Sequence, residues 1–183
     1  EICALDLETK GLINRGTPPE ILCFSYNNAF DKGVSTNFDY IQDLLNEYIP
    51  VFHNAAFDVS VLKAYGYRFP NGYHDTMLMS YCWDPSTKKH SLDHWGDVLK
   101  FKKFDKPWKG EYPEEYSAEL DAYALRDAEL TYKLYWTLRE NLEANSLWEL
   151  YTNLDLPYSW AIIEMQECGL FIRQTEVETF KAE

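Results

Sequence analysis

Residues 4–9, ALDLET, constrain the fold more than any other stretch of the chain. They close an apolar run, 2–7, that reads as a β-strand, and side chains alternate faces along a strand. Leu5 and Leu7 then point one way while Asp6 and Glu8 point the other. Two carboxylates on one face repel each other, and burial disfavours their ionised forms further. Such a pair needs an offsetting positive charge, and a bound cation is the obvious candidate.

The bulk of the sequence is that of a folded domain. Its 183 residues are enough to bury a substantial core, and 46% hydrophobic with 26% charged residues excludes a disordered chain. The formal net charge of −13 argues against a long duplex footprint. A short nucleic-acid contact through bound metal and a few local lysines stays open. Cys3, Cys23, Cys82 and Cys168 form no close pair, which speaks against zinc and against a disulfide framework. Reduced thiols suggest a cytoplasmic compartment. No apolar run reaches membrane-spanning length, and no signal peptide precedes the first strand. The opening on a core strand and the polar ending TEVETFKAE suggest that both ends are cut from something longer.

Patterning predicts strands over 2–7, 21–26 and 33–38, separated by Gly-, Pro- and Asn-rich turns. A helix follows over 40–50, stopping at Pro50, then a short strand over 51–54 and a helix over 57–67 with Gly66 as its C-terminal cap. Two short helices are expected over 75–83 and 91–99. Residues 100–117 are lysine-rich, aromatic and broken by Pro107, Gly110 and Pro113, and read as a long loop. The longest helix is predicted over 118–145, and 148–170 is helical on both sides of Pro157. Strands followed by alternating helices and strands predict an α/β fold, a mixed sheet with helices packed on it.

Three further carboxylates have surroundings that suit partnership with Asp6 and Glu8. Asp58 follows VFHNAAF, and Asp127 lies four residues after Tyr123, on the same helix face. Asp75, in YHDTM, is the third. Each has an ordinary alternative. Asp58 suits a first helical turn through the helix dipole. Asp127, beside Arg126 and Glu129, suits a solvated helix face, and Tyr123 a core position. Asp75 suits a helix N-cap or a partner of the site residues. DLET alone also resembles the nucleophile motif of haloacid-dehalogenase-like phosphatases, with Glu8 where that family has a second Asp.

Taken together, DLET, HNAAFD and YALRD resemble, in order and spacing, the three exonuclease motifs of the DEDD superfamily. Tyr123 marks its tyrosine branch. The chain resembles the 3'-5' proofreading exonuclease domain of family A DNA polymerases over nearly its whole length. HDTMLMSY and HSLDHWGDVL are similar to that domain's connecting helices, and the lysine-rich stretch after them looks phage-like. LPYSWAIIEMQECGLFI resembles the segment joining exonuclease and polymerase domains. The resemblance implies a ribonuclease H-like fold with three leading antiparallel strands. It implies an exonuclease domain over 1–145 and, over 146–183, a helical linker toward a polymerase domain.

The same resemblance implies hydrolysis of phosphodiesters with two Mg2+ or Mn2+ ions. Asp6, Glu8, Asp58 and Asp127 would be the ligands, a set of hard oxygens without thiol or imidazole. Tyr123 would orient the attacking water, since a phenol is a poor base at neutral pH. Thr9 and Asn54 would contact the 3'-terminal nucleotide, Leu12 would wedge against its base, and Phe57 would stack on a base. The partner implied is the 3' end of single-stranded DNA, with a linked polymerase domain and no membrane. The lysines of 100–109, with Phe101, Phe104 and Trp108 between them, either guide the strand or form a solvated surface. An exoribonuclease of the ribonuclease D or Werner-like branch shares these motifs, and a non-catalytic nucleic-acid-binding spacer shares the fold.

Overall fold

The computed structural model describes residues 1–14, 16–169 and 173–182. The expected mixed α/β fold is present. Five strands form one sheet in the order β3-β2-β1-β4-β5: β1 (Ile2–Thr9), β2 (Ile21–Asn27), β3 (Lys32–Ser35), β4 (Ile49–Phe52) and β5 (His74–Asp75). The three leading strands pair antiparallel, whereas β4 runs parallel to β1 and β5 parallel to β4. The ALDLET strand is central, hydrogen-bonded on both sides, and helices on both faces bury nearly all of its residues.

Helices cover both faces. Cys3, Leu5 and Leu7 pack with α1 (Asp39–Glu47), α2 (Ala55–Ala64) and, through Ile163, α7 (Leu156–Cys168). On the other face lie α3 (Thr76–Trp83), α4 (Leu92–Val98) and the long α5 (Ala118–Ala144). The alternation in β1 thus separates an apolar face from one that carries Asp6 and Glu8 toward α5. Residues 100–117 contain no helix or strand, as the sequence predicts.

Several boundaries differ from the sequence reading. The helix predicted to run to Pro50 ends at Glu47, and Pro50 instead pairs with Cys3 as part of β4. Pro50 lies beyond the end of the β5 pairing, which begins at Val51, so its missing N–H falls where the ladder is one-sided. The two-residue β5 is too short to leave a periodic signal. Gly66, at φ 90°, ends α2 as expected: Gly66 N–H reaches Lys63 O at 2.9 Å and Tyr67 N–H reaches Leu62 O at 3.0 Å.

The segment after α5, as far as α7, is packed against the sheet and its helices. A helical path runs from α6 (Trp148–Leu150) through a π-helical turn at Tyr151–Asp155 into α7, with Pro157 in the first turn of α7. Tyr151 is fully buried, and its hydroxyl accepts the Asp75 N–H at 3.0 Å. A last helix, α8 (Gln174–Ala182), follows. Residues 170–172 of the junction-like segment lie outside the described residues.

Candidate active site

The site is assembled where β1 faces α5. The register of β1 against β2 shifts between Glu8 and Thr9, at this point. Ser25 pairs with Asp6 in register, and its hydroxyl donates to the Ala124 carbonyl of α5 at 2.7 Å. That buried bond sits between Tyr123 and the turn that carries Asp127, so it fixes both against the sheet. Asp6, Glu8 and Asp127 each bring a carboxylate oxygen to within 4.8 Å of the others. Ser25 escaped the sequence reading because a serine in a strand carries no pattern that points to a helix 99 residues away.

Asp58 stands outside that triple but is tied to it. Its Oδ1 accepts the backbone N–H of Leu7 at 3.2 Å, and the side chain is buried in the first turn of α2. The turn before it depends on Asp75. Asp75 Oδ1 accepts Asn54 N–H at 3.1 Å, and Oδ2 accepts Ala55 N–H at 3.0 Å. The same carboxylate caps α3 by accepting Met77 N–H at 2.8 Å. Both roles considered for Asp75, cap and partner of the site, are therefore filled at once. Asn54 itself adopts a left-handed conformation, φ 70° and ψ 54°, which asparagine tolerates better than most residues.

The 100–117 loop reaches the site residues of α5. Lys103 Nζ lies 2.5 Å from Asp127 Oδ2 and 5.1 Å from the centre of the Tyr123 ring. Trp108 meets the same ring edge-on at 5.0 Å. Tyr123 is buried between them. Lys103 was not singled out among its neighbours in KFKKFDK, since nothing local distinguishes it from Lys102.

The electrostatics are those of a buried acidic cluster. Burial, then the Asp127 charge, pushes Asp6 up to about 7. Burial, then Asp6, pushes Glu8 up to about 9. Asp58 is held well above the usual carboxylate range by burial and by Asp6, against the pull of the Leu7 amide. Asp127 is raised by burial, which the Lys103 ammonium partly counters. Burial, then Asp127, takes Tyr123 to about 12, so its phenol stays protonated at neutral pH. Asp127 Oδ1 is buried with no hydrogen-bond partner. An all-carboxylate donor set with a spare buried oxygen fits a hard divalent ion.

A cleft of about 870 Å3 opens along α2, the helix that carries Asp58. Leu12, Asn54 and Phe57 line it, together with Lys63 of α2 and Glu167 at the end of α7. Leu12 is 59% exposed. Lys63 and Glu167 form an ion pair at 2.9 Å that closes the far wall. Thr9 is not on this surface: it is buried, and its hydroxyl donates to Gly11 O at 2.8 Å within the turn after β1. His53 is also held internally, with Nδ1 2.9 Å from Thr76 Oγ1, and burial lowers it to about 3.

Comparison with known proteins gives a consistent picture. The sequence profile of the family A polymerase 3'-5' exonuclease matches residues 2–143. DNA polymerase I of Borreliella burgdorferi is 29% identical over 124 residues, covering 65% of this chain and 14% of that protein. The chain thus spans about one-seventh of the length of the polymerase it matches. Among solved structures, the POL domain of Pol1 from M. smegmatis, in complex with DNA primer-template and dNTP, superposes with TM-score 0.75 at 16% identity. It covers 98% of this chain and 30% of that one. Brucella melitensis NrnC with bound Mg2+ gives TM-score 0.72 at 20% identity, covering 93% and 89%. Escherichia coli RNase D, an exoribonuclease involved in structured RNA processing, gives 0.68 at 16% identity, covering 93% and 46%. At these identities the structural likenesses concern the fold, the ribonuclease H-like arrangement of DEDD exonucleases.

Proposed function

Because the chain belongs to the 3'-5' exonuclease family of family A DNA polymerases, we propose that it releases nucleoside 5'-monophosphates stepwise from the 3' end of single-stranded DNA, as the proofreading module of a longer polymerase. The observation that carries this reading is the meeting of Asp6, Glu8 and Asp127 within 4.8 Å beside a buried, protonated Tyr123.

Asp6, Glu8, Asp58 and Asp127 would hold two Mg2+ or Mn2+ ions, which supply a water of lowered pKa and positive charge for the leaving oxygen. The remaining work falls to the chain's own groups. Tyr123 keeps its proton and donates it in a hydrogen bond, so it orients a water rather than deprotonating one. Trp108 and the body of α5 exclude bulk water from one side of that phenol. Leu12 and Phe57 offer apolar faces to the terminal bases across the cleft, and Asn54, on the same wall, offers a polar group to the sugar-phosphate. Thr9 contributes by shaping the turn that presents Leu12, and a direct contact to the nucleotide would need its backbone.

The partner is a DNA 3' end delivered by a polymerase domain in the same polypeptide. Support comes from the polymerase I relative and from the junction-like LPYSWAIIEMQEC, which here forms α7 against the cleft. Residues 1–145 would be the exonuclease unit, and 146–183 the helical connection. Among the described residues no helix is long and apolar enough to cross a membrane. The four free cysteines are in keeping with a cytoplasmic address.

The likeness to RNase D favours a second reading, a 3'-5' exoribonuclease, because RNA and DNA differ at the 2'-OH and not in the scissile phosphodiester. A time course on matched 3'- and 5'-labelled DNA and RNA strands, with Mg2+, Mn2+ or EDTA and an Asp6→Ala control, tests both. Mononucleotides from the 3' end of DNA, lost in EDTA and in the variant, are expected. Faster release from RNA would replace the substrate, and no release from either strand would overturn the reading.

A further inference from the structure

We propose that Lys103 is a resident counter-cation of the carboxylate cluster, its ammonium standing on Asp127 in place of divalent charge and yielding when metal binds. The inference rests on reading Asp6, Glu8, Asp58 and Asp127 as a metal centre.

Three observations carry it. The first is placement. Lys103 Nζ lies 2.5 Å from Asp127 Oδ2, with the lysine side chain 19% and the aspartate side chain 5% exposed. The adjacent Lys102, by contrast, pairs with Asp97 at 3.3 Å with its side chain 79% exposed. One lysine of the loop is turned inward while its neighbour stays in solvent.

The second is that the inward lysine is delivered by a packed backbone. Phe101 N–H donates to Gly96 O at 2.8 Å, and Arg126 Nε donates to Lys102 O at 2.8 Å. The Arg126 guanidinium stacks 3.3 Å from the centre of the Phe101 ring and lies 5.1 Å from that of Phe104. A Cβ on Gly96 would meet Phe101 O at 3.2 Å, so glycine permits the loop's close approach to α4. Residues on both sides of Lys103 are thereby anchored to α4 and α5.

The third is charge. Three carboxylates within 4.8 Å cannot all ionise in a buried site without compensation, and the Lys103 ammonium supplies one positive charge. It takes Oδ2 of Asp127 and leaves Oδ1 without a partner. A divalent ion arriving at either oxygen meets the ammonium as a competitor or as a like charge a few ångströms away. Metal affinity is therefore set against Lys103. The loop that carries Lys103 also packs Trp108 on Tyr123, so displacement of the ammonium acts on the element that borders the water-orienting phenol.

The test is a calorimetric titration of Mn2+ into the chain without nucleic acid, for the wild type, Lys103→Met and Lys103→Arg, each first checked for a cooperative melt. Lys103→Met should bind Mn2+ roughly tenfold more tightly or better, as removal of an adjacent positive charge requires, and Lys103→Arg should stay near wild type. Lys103→Gln serves in the same way if the methionine variant does not fold. Unchanged or weaker binding in the neutral variants would overturn the counter-cation role while leaving the metal centre standing. No Mn2+ binding by wild type or variants would overturn the metal centre, and this inference with it.

Discussion

Asp58 Oδ1 accepts the backbone N–H of Leu7, at 3.2 Å, and that amide lies between Asp6 and Glu8 on the central strand. One carboxylate of the candidate site is thus tied by hydrogen bond to the strand that carries two others. The first turn of α2 is locked to β1 at the point where the chemistry is placed.

Asp58→Asn separates the two roles of that side chain. An amide oxygen still accepts the Leu7 N–H, but the buried charge is gone. In EDTA the variant should melt at or above the wild-type temperature, because burial holds the native carboxyl far above its usual range. Addition of Mg2+ should raise its melting temperature less than that of the wild type, since ligand-linked stabilisation follows affinity. Scanning calorimetry reads both, and an unchanged response to Mg2+ would remove Asp58 from the ligand set.

Tyr123→Phe keeps the ring against Trp108 and deletes only the hydroxyl. The rate of mononucleotide release should fall by about 10²-fold, the order expected when a reacting group loses its positioning. Mn2+ affinity should not change. A full-rate variant, or one that no longer binds metal, would contradict the assigned role.

The metal-free protein should lose stability as pH rises from 7 to 9. Asp6 and Glu8 titrate near 7 and 9 in the folded chain and in the ordinary carboxylate range when unfolded. Between those limits the folded state binds more protons, so stability falls with rising pH until the folded groups have ionised. Below about 6.5, the histidine range, His53 and His74, held neutral by burial, act in the opposite direction, and toward pH 9 the buried Cys3 and Cys23 thiols, pushed up to about 12, add to the decline. Urea melts in EDTA across that rise in pH should show the decline. Saturating Mg2+ should flatten or reverse it, because metal binds the deprotonated carboxylates.

Asp75→Ala removes the acceptor shared by the Asn54, Ala55 and Met77 amides. Buried donors left unpaired cost about 1–3 kcal/mol. The turn that presents Asn54, Phe57 and Asp58 loosens with them, so activity should fall about 10–100-fold, as when a partner of a metal ligand is lost. Urea unfolding and single-strand digestion check the two effects. Loss of stability with full activity would make Asp75 a cap of α3 and nothing more.

Much of this was legible in residues near one another. Alternation in ALDLET placed Asp6 and Glu8 on one face, and the four-residue spacing placed Tyr123 with Asp127 on another. Motif order added Asp58, while the left-handed conformation of Asn54 was not anticipated. What escaped depends on partners far along the chain. Examples are the Ser25 hydroxyl on Ala124 O, the Tyr151 hydroxyl on Asp75 N–H, and the inward turn of Lys103.

The sequence by itself determined which atoms are available: a strand with carboxylates on one face, and a helix with a phenol and a carboxylate one turn apart. Those features follow from local periodicity and backbone preference, which a short window contains. Only the tertiary structure decided that the three carboxylates meet within 4.8 Å, that Asp58 grips the strand between two of them, and that one lysine of several reaches inside. Those outcomes depend on how β1, α2, α5 and the 100–117 loop pack together. Burial and mutual charge, which make the cluster able to attract a cation, arise only once that packing has excluded water.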